Sequence, residues 1–162
     1  MTKVIFIGLI LVMVAGYLQA QLLSRENLPR PSTSQHRVAE GPGVYGVFEG
    51  RFPCQELARQ WNHTVSQDCY KSKWRLTLYQ DSLTKKPSRY VLEGSFYRDK
   101  PREGNWSIVP GSKIYYAAQI FKLDEAIFFL KGDENVLFVL DNQKNLLIGN
   151  EDFSYTLSRV DN

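Results

Sequence analysis

The chain is poor in the residues that most chemistry needs. It has two cysteines, two histidines and two methionines, and no methionine after Met13. Neither cysteine belongs to a Cys-x-x-Cys motif, because position 57 is Leu57 where such a motif would need its second cysteine. No serine lies in a Gly-x-Ser-x-Gly setting, so an esterase-type nucleophile elbow is absent. These absences argue against thiol-redox and hydrolase activity and predict a protein that is not an enzyme.

Clusters of basic residues are also absent. The formal net charge is only +3, and the lysines and arginines are spread along the chain. A nucleic-acid binder would concentrate basic residues on one face or one element. The sequence therefore predicts no nucleic-acid partner.

The N-terminus has the pattern of a secretory signal. Lys3 precedes the apolar run Val4–Ala15, and Leu18-Gln19-Ala20 provides a small residue for cleavage. The run is shorter than the ~20 residues that span a bilayer, so we expect cleavage after Ala20 and a periplasmic or secreted protein. Membrane attachment would require an uncleaved signal. Residues 21–42 contain three prolines and a Ser/Thr cluster, which predicts a disordered tether.

Residues 43–162 have the alternation of an all-β domain. The predicted strands, separated by Gly, Pro, Asn and Asp turns, are Val44–Phe52, Lys73–Gln80, Ser88–Tyr97, Gly104–Val109, Lys113–Leu123, Ala126–Leu130, Asn135–Leu140, Leu146–Ile148 and Phe153–Val160. Short connections favour antiparallel neighbours, and closure removes exposed strand edges. We therefore predict a small antiparallel up-and-down barrel, with a short helix over Gln55–Trp61 that closes one mouth.

Two hypotheses concern Cys54 and Cys69. In an exported domain two cysteines favour a structural disulfide, which here would hold the short helix between two strands. The alternative is a Cu(I) site that uses both thiolates with His63. The spacing fits no recognised metal motif, so no cofactor is expected unless Cu(I) binds there.

A third hypothesis concerns the interior of the barrel. About eight strands are enough to enclose one small apolar ligand. The side chains expected to line such a cavity are those of Trp74, Leu76, Phe96 and Trp106. The same side chains would also fill a packed core. The sequence alone therefore does not decide between a ligand carrier and a barrel with a packed interior.

Several segments resemble a known family. They are Gly43–Cys54, Leu76–Tyr79, Gly104–Trp106, Val136–Asp141 and Tyr155–Arg159, in that order along the chain. Together they resemble the N-terminal domain of NlpE-type envelope proteins, which are associated with copper resistance and envelope stress. The resemblance implies a lipocalin-like barrel in the bacterial envelope that senses or binds envelope proteins or a small ligand. The family's Pro-Cys-x-x-Cys motif is kept only at Cys54.

Overall fold

The structure is a computed structural model that describes residues 29–111, 117–124 and 127–162. The described elements are β1 (Arg30–Pro31), β2 (Val44–Pro53), α1 (Cys54–Gln60), β3 (Lys71–Gln80), β4 (Pro87–Gly94), β5 (Arg102–Pro110), β6 (Gln119–Leu123), β7 (Ile127–Lys131), β8 (Val136–Leu140) and β9 (Thr156–Asp161). Among these residues, no helix is long and apolar enough to cross a bilayer. The predicted signal segment, residues 1–20, lies outside the described residues.

Strands β2 to β9 form a closed barrel of antiparallel neighbours. Each strand pairs with the next along the chain, and β9 also pairs with β2 through Val160↔Val47 and Glu49↔Ser158. The predicted antiparallel up-and-down barrel is therefore confirmed, with eight strands in its wall where the sequence predicts nine. β1 adds a two-residue parallel pairing to β9.

Alternation along the strands fills the interior of this barrel. On β2 the side chains of Phe48 and Phe52 point inward, and on β3 those of Trp74, Leu76 and Leu78 do the same. Trp74 lies between two glycines, because its cross-strand partners are Gly50 on β2 and Gly94 on β4. An added Cβ would collide with the Thr156 carbonyl at Gly50 and with the Lys73 carbonyl at Gly94, so both glycines allow a close approach of neighbouring backbone.

The end of the barrel away from α1 is closed by an inward-pointing arginine. The Arg159 guanidinium lies 4.8 Å from the centroid of the Phe48 ring and donates a hydrogen bond to the Tyr45 carbonyl at 2.7 Å. An added Cβ at Gly46 would collide with this guanidinium, so glycine makes room for it. A cation over an aromatic face stabilises this closure.

The segment predicted as a tether follows the barrel wall wherever the structure describes it. Residues 29–43, which we call the strap, cross the outside of β9, β2 and β3. Val38 packs on the outward side chains of Val47 and Val160, and its N–H donates to the Asn162 side chain at 2.9 Å. Residues 21–28 of the predicted tether lie outside the described residues.

One predicted strand is wrong. Leu146–Ile148 contributes a single bridge, Leu140↔Leu146, and the Ile148 side chain is almost fully exposed. The reason is that β8 already pairs with β7 on one edge and β9 on the other, so no edge is left for another strand. The predicted strand Lys113–Leu123 begins at Gln119 in the described part, and residues 112–116 lie outside it.

Candidate functional site

The disulfide and the helical lid lie where the sequence predicts them. Cys54 is the first residue of α1 and is bonded to Cys69, just before β3, with 5.7 Å between the two Cα atoms. The Gln55 side chain donates to the Ser66 carbonyl at 2.7 Å, which ties the helix to the returning loop. Leu57 is fully buried in the barrel core. The helix is therefore a lid fixed covalently to the rim of the barrel.

The residues of the Cu(I) hypothesis do not form a metal site in this structure. Cys54 and Cys69 are bonded to each other, so neither sulfur is a thiolate. His63 lies instead against the Phe96 ring, at 4.7 Å between centroids, and its Nε2 is 3.2 Å from the Tyr97 hydroxyl. Among the described residues, no three His, Cys, Asp or Glu side chains converge as metal ligands would. Cu(I) binding by both cysteines would first require reduction of the disulfide.

His63 has a lowered pKa. Partial burial disfavours the charged imidazolium, and the nearby Arg102 guanidinium adds repulsion. The neutral imidazole is therefore the form that packs between aromatic rings at neutral pH.

The residues predicted to line a ligand cavity belong to the packed core. Trp74, Leu76 and Trp106 are buried in one hydrophobic cluster, and Phe96 packs against it. The Trp74 ring centroid lies 5.3 Å from that of Phe52 and 6.3 Å from that of Phe96. These are ordinary distances between aromatic rings in contact. These four side chains therefore pack on other side chains of the core.

Two polar groups at the lid end have no hydrogen-bond partner among the described residues. They are the buried Trp74 Nε1 and the buried Ser72 Oγ. The indole of Trp106, by contrast, donates to the Tyr79 carbonyl at 2.5 Å.

A polar cluster lies where β4, β5 and the β6–β7 turn meet. The Tyr90 hydroxyl donates to Asp124 Oδ2 at 2.6 Å and accepts from Arg102 Nε at 3.0 Å. Burial, with the hydrogen bond to Asp124, raises the pKa of Tyr90 to about 12. Tyr90 therefore stays protonated at neutral pH and serves to hold the two charged residues together.

The outer wall carries a second polar cluster, centred on Arg75 of β3. Its guanidinium donates to Glu49 Oε1 at 2.9 Å, to the Arg37 carbonyl at 2.9 Å and to the His36 carbonyl at 3.2 Å. Glu49 also accepts from the Ser32 hydroxyl at 2.7 Å. The Glu49 carboxylate on the wall and two backbone carbonyls of the strap are thus bound by the same Arg75 guanidinium.

Beside the strap, a groove of about 1100 Å³ runs over the outward faces of β9, β2, β3 and β4. Its lining mixes polar and apolar surface and includes several charged residues. The basic side chains in it are Arg30, Arg51, Lys73, Arg75 and Arg98, and the acidic ones are Glu49, Glu93 and Asp152. The groove is larger than a second concave surface beside α1, which has a volume of about 430 Å³. It is the candidate binding site.

The groove was not predicted from the sequence. Alternation shows that Glu49, Arg51, Lys73 and Arg75 face away from the core. Only the strand register shows which of them lie side by side, and only the structure shows that the strap walls them in. The comparisons with known proteins add no name: no family model, no curated protein and no solved structure matches this chain.

Proposed function

We propose that this chain is a non-enzymatic protein of an oxidising compartment outside the cytoplasm, where it binds its partners on the outside of a filled barrel. The observation that carries the proposal is the disulfide between Cys54 and Cys69, which fixes the lid over a packed core. Such bonds persist in exported proteins and are rare in the reducing cytoplasm.

The filled interior supports surface recognition. A carrier needs a cavity, and the four side chains expected to line one lie in or against the hydrophobic core. The groove on the outer wall offers a concave surface with charged side chains. A sensing role in envelope stress, which the NlpE resemblance implies, fits a barrel that presents a surface to its partners.

The first test is the thiol state of protein isolated from its native compartment. The sample is alkylated before reduction and its mass is measured. We expect no alkylation and a mass two daltons below that of the dithiol. Two alkylated cysteines would contradict the proposal and would reopen the Cu(I) hypothesis.

The second test concerns catalysis and transport. We expect no hydrolysis of a panel of esters, phosphoesters and glycosides, and no stoichiometric binding of a fluorescent fatty acid. Hydrolysis that is lost in His63→Ala would contradict the non-enzymatic proposal. Tight fatty-acid binding that is lost in Leu76→Trp would instead identify a carrier.

A further inference from the structure

We propose that the groove on the outer wall binds an oxyanion-bearing ligand through Arg51 and Lys73. This inference rests on the proposed function, because it places recognition outside the barrel. The groove lies against β9, β2, β3 and β4, and the strap forms one of its walls. Arg51 lies near the C-terminal end of β2, and Lys73 lies near the start of β3. Both are therefore at the end of the groove nearest to α1.

The central observation is a pair of like charges. Arg51 and Lys73 are direct cross-strand partners, and both side chains are exposed on the outer face. Two residues away, the same pair of strands places Glu49 opposite Arg75, which is a complementary arrangement. Like charges directly opposite each other destabilise a strand pair. The sheet therefore keeps a local repulsion that an anion between the two side chains would relieve.

The carboxylates of the groove do not supply that anion. Glu49 is held by Arg75 at 2.9 Å, and Glu93 lies 4.0 Å from the same guanidinium. Asp152 is hydrogen-bonded to Tyr70, an interaction that raises the Tyr70 pKa. Neither Arg51 nor Lys73 has a carboxylate within 4.0 Å among the residues that the structure describes.

Hydroxyl groups and a third cation line the groove together with the pair. They belong to Ser95, Thr156 and Arg98. Ser95 Oγ accepts a hydrogen bond from the Lys73 N–H at 2.9 Å, so its own proton remains available for a ligand. A guanidinium, an ammonium and hydroxyl donors are the groups that bind phosphate and carboxylate oxygens. The groove is far larger than a single ion, so the oxyanion is expected to be part of a larger molecule.

The ligand's oxyanion can belong to a soluble molecule or to the headgroup of an anionic lipid. The test therefore uses three probes with the full chain: pyrophosphate, citrate and vesicles that contain phosphatidylglycerol, with phosphatidylcholine vesicles as reference. The variant Arg51→Gln/Lys73→Gln removes the like-charge pair. The matched control Lys85→Gln/Lys86→Gln removes the same charge from an exposed turn at the other end of β3.

We expect at least one anionic probe to bind and its affinity to fall at least about tenfold in Arg51→Gln/Lys73→Gln, as loss of charge-assisted hydrogen bonds implies. The control variant should bind within about twofold of the native protein. Binding of pyrophosphate or citrate identifies a soluble source, and binding of phosphatidylglycerol vesicles alone identifies a membrane surface. The thermal unfolding midpoint of Arg51→Gln/Lys73→Gln should be equal to or above the native value, because the substitutions remove a repulsion.

The inference is overturned if the folded native protein binds none of the probes, or if both double variants lose affinity equally. Should the double variant fail to fold, the single variant Lys73→Gln is titrated with the same probes and the same thresholds. The thiol measurement separates this inference from the proposed function. If the two cysteines are bonded and no anion binds, only the proposal of anion binding in the groove is refuted. Free thiols would instead refute the proposal that the protein resides in an oxidising compartment.

Discussion

Replacement of Arg75 by Met tests the link between the barrel wall and the strap. The variant keeps an unbranched apolar side chain and removes the guanidinium. In the native protein the Arg75 and Glu49 side chains are only 10% and 14% exposed. The change leaves the Glu49 carboxylate without its cation and the carbonyls of His36 and Arg37 without their donor.

The expected cost follows from these partners. Removing one member of a buried ion pair destabilises a protein by about 3–5 kcal/mol. Glu49 retains hydrogen bonds from the Ser32 hydroxyl at 2.7 Å and the Thr33 N–H at 3.2 Å. Because these donors still stabilise the carboxylate, we expect Arg75→Met to lower the free energy of unfolding by about 3 kcal/mol, at the lower end of that range.

Urea unfolding followed by tryptophan fluorescence measures this loss, and hydrogen exchange locates it. Amides of residues 32–38 should exchange faster in Arg75→Met, because the strap is no longer held to the wall. The control Arg59→Met removes an arginine whose side chain is 77% exposed and should change stability by less than about 0.5 kcal/mol. The double variant Glu49→Gln/Arg75→Met should be more stable than Arg75→Met, since no unpaired carboxylate remains. Equal stabilities for Arg75→Met and Arg59→Met, or unchanged exchange in the strap, would refute this reasoning.

Three further predictions concern the lid, one glycine and two tyrosines. In Cys54→Ser/Cys69→Ser the free energy of unfolding in urea should fall by about 3 kcal/mol, as expected for a closed loop of this length. A decrease below about 1 kcal/mol would contradict a stabilising role for the disulfide. Gly94→Ala should lose at least about 2 kcal/mol of stability, because Gly94 has a φ of +140° and an added Cβ would collide with the β3 backbone; native-like urea unfolding would show otherwise. Burial raises the pKa values of Tyr90 and Tyr155 to about 12, so both should ionise late in an absorbance titration. Stability should then fall as the pH rises from about 10 to about 12, because the unfolded chain releases these protons first; titration of both residues near their ordinary pKa would refute it.

The barrel follows from local patterns in the sequence. Alternation identifies the inward side chains of β2 and β3, and the short turns require antiparallel neighbours. The helix prediction Gln55–Trp61 differs from Cys54–Gln60 by one residue at each end. The predicted strand Ser88–Tyr97 ends earlier, at Gly94, whose positive φ turns the chain so that Phe96 and Tyr97 pack over the barrel mouth.

The outer wall could not be predicted in the same way. Proline and serine in residues 29–43 resemble a disordered segment, but Arg75 and Glu49 bind this segment through side chains distant in sequence. The opposition of Arg51 and Lys73 depends on strand register, which alternation alone does not give. The structural features that carry the proposals are therefore long-range ones.

The most direct test of recognition on the outside of a filled barrel is a nuclear magnetic resonance titration of the native protein with pyrophosphate. We expect shift changes at the amides of Arg51, Lys73 and Thr156, with the indole resonances of Trp74 and Trp106 unmoved. Shifts centred on the two indoles would contradict the account, and so would the absence of shifts with pyrophosphate, with citrate and with lipid that contains phosphatidylglycerol.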